Sequence, residues 1–443
     1  MREPRAKGRP RVVLGLVEVA GYYANLQRGL QELGLEARLI TLDDHPFKYA
    51  DVEQQPLFAR CAASAGRRWR RSPPASTASR SFWFLVEVAL RLCLFAWAAF
   101  TFDAFVFSFG GTFLNRPQVE LRLLRLLRKR IICVFHGSDS RPAYMDGSLK
   151  ATDHGRLPGA CITHAQRTKR RVALLDALSD CVVDHTLSGH FHERPFVKWL
   201  SIGIPCLAAD GASPVRSASE DRRPVRVLHA PSDPEAKGTS VIRSAIQRLQ
   251  SRGFAVELRE IAGRPHREVI QALQDCDFVV DQAYSDTPMA GFSAEAAFYG
   301  KAVVVGGYGE HALRASAQQV EMPPSAFCHP DDLEQTIAHL VVDEGERLSL
   351  GRAAQEFVRN QWSRRAVAER FLCLISGRIP EEWLFDPRVS SYAHGVALPE
   401  SRARRLMADV IALGGTEALQ LGDKPYVLQA MLEFAYQDRT VGA

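Results

Sequence analysis

The chain has 443 residues, of which 46% are hydrophobic and 24% are charged, as in an ordinary soluble globular protein. This composition excludes disordered, collagen-like and disulfide-scaffold classes, and about 150 residues per domain predicts two or three domains. Nine cysteines stand singly without a C-x-x-C pair, which predicts a reducing compartment and no structural zinc of the usual spacing. The net charge of +6 equals the six arginines of residues 60–80, a segment without acids. Because the charges in the rest of the chain cancel, the folded domains are not expected to bind nucleic acid. An anionic partner or an anionic membrane surface could still bind the arginine-rich segment.

No segment is a convincing signal or membrane span. The apolar run at 12–17 ends at Glu18, which is too short for a signal peptide. The most apolar stretch, 82–107, is interrupted by Glu87 and Arg91, which stand four apart as in a helical ion pair, and falls short of the ~20 apolar residues that a span needs. We expect a buried or half-buried helix here, with a membrane-interface helix as the alternative. The predicted location is cytoplasmic, with peripheral attachment to the inner face of the membrane as an extension.

The N-terminal half reads as a series of β-α-β units, from which parallel sheets grow. The spacing of apolar residues predicts strands at 11–19, 36–42, 103–107, 131–135 and 181–184. It predicts helices at 24–33, 82–100 and 121–130, with a basic, Pro/Ser-containing loop at 60–80. A run of small, polar and Pro residues at 207–224 is the clearest composition shift in the chain, and we interpret it as an interdomain linker.

The C-terminal half alternates strands and helices more regularly. Strands are predicted at 226–229, 255–261, 278–281 and 302–305. Helices are predicted at 239–249, 266–276, 293–299, 331–342 and 350–361, and further helices after about 380. Strict alternation of this kind indicates a doubly wound α/β domain, whose ligands bind at the carboxyl ends of the strands.

Two short blocks lie where such a domain binds its ligand. In the first, a strand ends at His229 and a Pro-rich loop leads to Lys237-Gly238-Thr239, which opens a helix and suits a phosphate. In the second, Gly291 and Ser293 open another helix, with Glu295 in its first turn, where it could accept hydrogen bonds from a pair of ligand hydroxyls. The alternatives are a solvated lysine with a threonine cap, and a glutamate placed there by the helix dipole.

Together, Lys237-Gly238, Glu295-Ala296 and Gly300-Lys301, with Asp281-Gln282 between, resemble the C-terminal half of retaining GT-B glycosyltransferases of family 4. The resemblance covers roughly residues 10–375. It reaches the N-terminal half in a capsule- and surface-polysaccharide subset through residues 15–23, 45–49 and 136–142. It implies a GT-B architecture of two Rossmann-like doubly wound domains facing a central cleft. The expected domains are an acceptor-side domain at 1–206, the linker 207–224, a nucleotide-sugar-binding domain at 225–379 and a helical extension at 380–443.

The resemblance also implies roles for particular residues. Lys237 would bind the donor diphosphate, Glu295 the nucleotide ribose, and His136 would lie near the transferred sugar or the acceptor. The donor-binding set is Gly21, Ser232, Lys237, Gly238, Asp281, Gly291, Phe292, Ser293 and Glu295, and the acceptor-side set is Tyr22, Asp139 and Arg141. The chain departs from the family in three places: Ser232 stands in a region that often carries an arginine, Thr287 replaces a first glutamate, and Ala302 replaces a proline. Arg264 is a candidate for the missing cation.

Other residues leave the chemistry open at this stage. His136 follows a predicted strand, so it would face the cleft, where a neutral imidazole can accept a hydroxyl proton; the alternative is a structural histidine. Asp139 and Arg141 are expected to form an ion pair that fixes their loop. Asp275-Cys276-Asp277 has the Asp-x-Asp form of a metal site, but it leads straight into an apolar strand, so we predict no metal. GT-B enzymes generally work without a bound metal, and no other cofactor is expected beyond the donor.

The leading prediction is a hexosyltransferase-like glycosyltransferase of class EC 2.4, retaining and metal-independent. Its partners would be a nucleotide-diphosphate sugar and a surface-glycan, lipid-linked or secondary-metabolite acceptor, with an anionic membrane surface reached through residues 60–100. The signatures of P-loop kinases, zinc proteases and serine hydrolases are missing from the sequence. The alternatives are a non-catalytic GT-B-like binding or scaffold subunit, which the missing arginine and glutamate favour, and a sugar-nucleotide epimerase or phosphorylase.

Overall fold

Two parallel β-sheets, one in each half of the chain, form the centre of the fold. The computed structural model describes residues 9–42, 55–72, 77–149, 157–206, 223–316 and 320–437. The strands are β1 (Val12–Leu16), β2 (Ala37–Thr41), β3 (Ala104–Ser108), β4 (Arg130–Val134), β5 (Cys181–Asp184), β6 (Phe196–Lys198), β7 (Val225–His229), β8 (Val256–Glu260), β9 (Phe278–Val280), β10 (Ala302–Gly306), β11 (Ala326–Cys328) and β12 (Leu384–Phe385). The helices are α1 (Tyr22–Glu32), α2 (Leu57–Arg71), α3 (Thr77–Thr101), α4 (Pro117–Leu126), α5 (Leu157–Leu178), α6 (Trp199–Ile202), α7 (Thr239–Ser251), α8 (His266–Asp275), α9 (Gly291–Phe298), α10 (Glu310–Ser316), α11 (Leu333–Val342), α12 (Glu344–Gln361), α13 (Arg364–Ser376), α14 (Glu400–Gly414) and α15 (Pro425–Tyr436).

The N-terminal sheet and its helices form what we call the N-terminal lobe. Its seven strands run in the order β12-β6-β5-β4-β3-β1-β2, and every neighbouring pair is parallel except β12 with β6. All five residues of β1 and of β3 are buried, because the sheet is covered on both faces. The direction of strand succession reverses between β1 and β3, so the loops after these strands border the crevice where such sheets bind ligands.

The C-terminal sheet and its helices form the C-terminal lobe. Its strand order is β11-β10-β9-β7-β8, and all neighbours are parallel. The succession reverses between β7 and β9, which places the loops after these two strands at the binding crevice of this lobe. The predicted α/β class with two Rossmann-like domains is therefore confirmed.

The described chain from α13 onward returns to the N-terminal lobe. Helix α13 packs on α1 so closely that a Cβ on Gly29 would lie 2.1 Å from the carbonyl oxygen of Arg364. Strand β12 then pairs with β6 at the edge of the N-terminal sheet, and α14 packs against α5. Residues 380–437 therefore add to the N-terminal lobe, and the amide of Ala397 also bonds the carbonyl of Tyr284 in the C-terminal lobe at 2.9 Å.

The predicted basic loop at 60–80 is wrong for most of its length, since residues 57–71 form α2. Arginine is a good helix former, and the small residues Ala59, Ala62, Ala65 and Gly66 give α2 a narrow buried face for close packing. A Cβ on Gly66 would lie 2.9 Å from a carboxylate oxygen of Glu87 in α3. The predicted ion pair of Glu87 with Arg91 is confirmed, at 2.8 Å between Oε1 and Nε.

Two predicted features fall outside the described residues. These are the motif at 45–49 and, apart from its last two residues, the linker at 207–224.

Candidate active site between the two lobes

The loop after β7 carries the predicted lysine to the crevice of the C-terminal lobe. Gly238 caps α7 with φ +69°, and a Cβ there would lie 2.7 Å from the Cβ of Ala283, so this position requires glycine. The carbonyl of Lys237 accepts a hydrogen bond from the amide of Ala283 at 3.0 Å. Thr239 does not cap the helix; its hydroxyl meets the buried imidazole of His229 at 2.9 Å.

Asp281, just after β9, joins the two predicted blocks. Its Oδ1 lies 3.2 Å from the ammonium of Lys237, and its Oδ2 accepts a hydrogen bond of 2.6 Å from Ser293. The carboxylate is buried, whereas 21% of the lysine side chain is exposed to solvent. The lysine loop and the first turn of α9 therefore lie side by side at the switch point of the sheet.

Glu295 lies two residues further into α9 than the sequence predicts. The helix begins at Gly291, two residues earlier than expected, so Glu295 belongs to its second turn. Its Oε1 lies 2.7 Å from the Nε2 of His266, and this hydrogen bond raises the pKa of the histidine. Both side chains are about a quarter to a third exposed, so the carboxylate is open to a ligand.

The N-terminal lobe meets this site through the loop after β1. A Cβ on Gly291 would lie 3.7 Å from the Cβ of Ala20, so the start of α9 faces that loop across the cleft. Ala20 and Gly21 both have positive φ, at 49° and 80°. The buried Glu18 holds the loop, since its carboxylate accepts the amides of Val19, Tyr23 and Ala24 at 2.8–3.1 Å.

His136 follows β4 on the same edge of the N-terminal sheet. Its Nε2 lies 2.8 Å from the hydroxyl of Tyr23, and burial together with His185 lowers its pKa to about 3, so the imidazole is neutral near pH 7. Tyr22, predicted on the acceptor side, is buried and donates its hydroxyl to the carbonyl of Gly203 at 3.1 Å. Its ring stands edge-on to the imidazole, with centroids 5.4 Å apart.

The expected ion pair of Asp139 with Arg141 is not formed. Arg141 instead bonds Asp146 at 3.2 Å and Asp286, which belongs to the C-terminal lobe. Ser188 adds a hydrogen bond of 2.7 Å to the same oxygen of Asp286. The guanidinium and both carboxylates are buried, so this cluster fastens the two lobes together inside the protein.

Asp139 supports His136 instead. Its Oδ1 accepts the amide of His136 at 2.8 Å, and its Oδ2 has no hydrogen-bond partner among the described residues. Burial, with a smaller contribution from Asp184, raises the pKa of Asp139 to about 7. A carboxyl that titrates near neutrality beside a neutral histidine is typical of functional sites.

The remaining predicted residues are more scattered. Ser232 and Arg264 are exposed, and Phe292 is half-buried against the C-terminal core. Thr287 is buried, and its amide bonds the hydroxyl of Ser285 at 3.1 Å. Asp277, of the rejected Asp-x-Asp motif, is bonded by Arg223 at 2.7 Å, which gives it a structural partner.

Sequence reasoning missed three participants. Tyr23, and not only Tyr22, contacts His136, and the adjacent tyrosines after a glycine at a strand end were a usable signal. Glu18, five residues before Tyr23, is an acidic residue close to a helix N-terminus, where a carboxylate can accept hydrogen bonds from the first amides of the helix. The role of Asp286 could not be predicted from neighbouring residues, because its partner Arg141 is 145 residues away in the sequence.

No family model and no curated protein matches the chain. Among solved structures it is similar to the catalytic domain of starch synthase IV from Arabidopsis thaliana bound to ADP and acarbose, with 12% identity and a TM-score of 0.46 over 84% of this chain and 99% of that chain. It is similar to HepE from Anabaena in complex with UDP-glucose, with 11% identity and a TM-score of 0.45 over 83% and 99%. It is also similar to the glycosyltransferase SnogD from Streptomyces nogalater, with 12% identity and a TM-score of 0.37 over 83% and 100%. The fold assignment rests on the strand orders of the two sheets.

Proposed function

We propose that the chain is a glycosyltransferase that moves a sugar from a nucleoside-diphosphate donor to a surface-glycan, lipid-linked or secondary-metabolite acceptor. One observation carries the proposal: the Lys237 ammonium and the start of α9 are joined through Asp281 at the switch point of the C-terminal sheet, opposite Ala20 of the other lobe. A lysine beside two helix N-termini suits a diphosphate. Glu295, on the same helix, is open to a pair of ribose hydroxyls.

In the transfer, the bond between the anomeric carbon and the diphosphate oxygen breaks, and the diphosphate keeps the electron pair. The acceptor oxygen bonds to that carbon, and its proton passes to the diphosphate oxygen that leaves. Lys237 and the amides at the starts of α7 and α9 stabilise the charge on the leaving diphosphate. His136, neutral and placed by Tyr23 and Asp139, orients the transferred sugar through a hydrogen bond.

The finer parts of the proposal concern stereochemistry, cofactors and location. We assign retention of configuration and hexosyl transfer from the sequence resemblance. Metal independence follows from the charges that Lys237 and the helix ends supply, since these do the work that a divalent ion does elsewhere. We place the enzyme in the cytoplasm, in surface-polysaccharide or related biosynthesis, with its lipid-linked or glycan acceptor at the inner face of the membrane.

Thermal shift with UDP, ADP, GDP and their sugar conjugates tests the proposal first, because a ligand of the folded form raises the melting temperature. Release of nucleoside diphosphate from the conjugate that binds then measures turnover. Lys237→Ala should weaken binding about tenfold, as expected for a lost charged contact. Lys169→Ala is the matched control, since Lys169 forms a similar ion pair, 2.9 Å from Asp423, on the N-terminal lobe.

The outcomes separate the alternatives. Binding without turnover on any acceptor would make the chain a non-catalytic subunit; turnover without acceptor would make it an epimerase, and phosphate-dependent turnover a phosphorylase. Equal binding by wild type and Lys237→Ala would overturn the site itself. Activity in EDTA and the anomer of the product test metal independence and retention.

A further inference from the structure

Helix α3 exposes an unbroken apolar stripe to solvent. Beside the exposed Phe84, the stripe consists of apolar residues that recur at helical spacing: Phe82, Leu85, Ala89, Leu92, Cys93, Ala96 and Phe100. The large side chains among them are exposed by 49% to 76%. Surface helices of globular proteins normally present polar residues on this side. At 1.5 Å per residue the stripe is about 27 Å long.

The opposite face of α3 is fixed in the N-terminal lobe. Leu94, Phe95, Ala98 and Ala99 are buried in the core of that lobe. Glu87 is buried between α2 and α3, where it accepts hydrogen bonds from Trp69 and Arg91. Among the described helices, only α3 is long and apolar enough to cross a membrane, with a mean hydropathy of 1.8, but 28% of that window is buried in the protein. Because its other face belongs to the fold, α3 is placed to lie in the plane of a membrane surface.

A basic groove adjoins the stripe where α2 ends and α3 begins. It has a volume of about 400 Å³ and is lined by Ser64, Arg67, Arg68, Arg71, Ser72 and Trp83. The guanidinium carbon of Arg68 lies 4.5 Å from the centre of the Trp83 ring. Guanidinium and hydroxyl groups suit a phosphate, and tryptophan is enriched at the membrane–water boundary. Trp83 connects the two features, since its neighbours Phe82 and Phe84 are both exposed.

We propose that the α2–α3 pair is the surface by which the protein docks on an anionic phospholipid bilayer. The stripe enters the boundary between headgroups and acyl chains, and the basic groove holds a phosphate-bearing headgroup. Charge complementarity selects this occupant: six arginines and no acid occur in residues 60–80, next to an apolar face. Arginines in the last turn of α2 are also favourable because they interact with the negative end of the helix dipole. That interaction does not explain the exposed apolar stripe beside them. The purpose of the docking, which is to reach a lipid-linked acceptor, rests on the proposed function. The docking itself does not depend on that function.

Flotation of the full-length chain with vesicles tests the docking surface. We expect it to float with an equal mixture of phosphatidylcholine and phosphatidylglycerol at low salt, to float poorly with phosphatidylcholine alone, and to detach as salt is raised. The triple variant Arg67→Gln, Arg68→Gln, Arg71→Gln should lose about fivefold in partitioning per arginine. The double variant Leu85→Ser, Leu92→Ser should bind more weakly at every salt concentration.

Matched controls come from outside the surface. Leu413→Ser removes a leucine that is 64% exposed, as Leu85 is, from α14, and Arg365→Gln removes an exposed arginine from α13. Both should float like the wild type. The melting temperature, which reports folding, and its shift by nucleotide, which reports the donor site, should be unchanged in all variants. A failure of docking can therefore be distinguished from a failure of the transferase proposal.

Three results would overturn the docking surface. The first is no flotation of the wild type with anionic vesicles at low salt, and the second is flotation of the triple and double variants equal to that of the controls. The third is a dimer in light scattering that dissociates in Leu85→Ser, Leu92→Ser, because the stripe would then be covered by a second copy of the chain.

Discussion

The ammonium of Lys237 lies 3.2 Å from a carboxylate oxygen of Asp281. The lysine proposed to bind the donor diphosphate is therefore already paired, with a buried carboxylate that also fixes Ser293 at the start of α9. Asp281 thus has two opposing effects. It holds the parts of the site together, and it places a negative charge beside the position where an anion would bind.

Asp281→Asn separates these effects, because asparagine keeps a side-chain oxygen for Ser293 but removes the charge. We expect nucleoside diphosphate to bind about tenfold more tightly, the equivalent of about 1.4 kcal/mol, while the melting temperature falls. Titration calorimetry with the diphosphate found by thermal shift measures the first effect. Asp277→Asn is the control, since that carboxylate pairs with Arg223 elsewhere in the lobe. Unchanged or weaker binding of Asp281→Asn would contradict the placement of the diphosphate.

The buried contact between Arg141 and Asp286 should make a large contribution to the stability of the fold. Arg141→Met leaves the carboxylates of Asp286 and Asp146 without their cation, and such a loss costs about 3–5 kcal/mol in the free energy of unfolding. The double variant Arg141→Met, Asp286→Leu should recover part of this loss. Urea denaturation followed by fluorescence measures both. Loss of less than about 1 kcal/mol in the single variant would show that the cluster opens readily.

The same contact predicts acid sensitivity. Burial opposes ionisation of Asp286, but Arg141, His185 and Ser188 outweigh it and hold its pKa well below the ordinary value. A lowered carboxyl pKa contributes stability that is present above pH ~4 and is lost as the pH falls below it. We therefore expect the stability difference between wild type and Arg141→Met to shrink below that pH.

His192 predicts a loss of stability in alkali. Its imidazole lies between the buried carboxylates of Asp176 and Asp184, with both contacts at 2.8 Å. Burial opposes its charge, but the two carboxylates raise its pKa to about 9. A raised histidine pKa gives stability that is complete below pH ~6.5 and is lost as the pH rises through about 9. The free-energy difference between wild type and His192→Asn should therefore fall from pH ~6.5 to pH ~9.5; a constant difference would refute the charged triad.

Asp139→Asn should make the protein more stable and less active. The raised pKa of Asp139, about 7, means that folding disfavours its charged form, so its cost in stability grows from pH ~4 to about pH 7 and persists above. Asparagine keeps the acceptor for the amide of His136 without that charge. We expect a higher melting temperature at pH ~8, no gain at pH ~4, and a turnover reduced about tenfold or more, as for a lost acid–base or orienting group. Equal turnover would remove Asp139 from the site.

The sequence predicts the parts of this structure that depend on local pattern. Short, largely apolar segments predict β5 and β7 to within a residue, because all of β5 and the last three residues of β7 are buried in a parallel sheet. Helix α2 escapes prediction from the sequence, because its buried face consists of small residues among arginines and contains no large apolar side chain. The rule that ligands bind at strand ends predicts that the Lys237 loop and Ser293 lie near each other, whereas Asp281 enters only through the family resemblance. The partner of Arg141 could not be predicted, because a contact across 145 residues depends on how the lobes meet.

Strand β12 closes the edge of the N-terminal sheet, although it is encoded more than 180 positions after its neighbour β6. During synthesis the N-terminal half of the chain therefore emerges before β12 and α13 have been made. Until then, the edge of β6 has no paired strand and α1 lacks the helix that covers it. An open strand edge is a template for aggregation. We therefore expect the N-terminal half to depend on β12 and α13 for its solubility. Truncation before Leu384 should accordingly yield insoluble protein, even though the whole C-terminal sheet has by then been made.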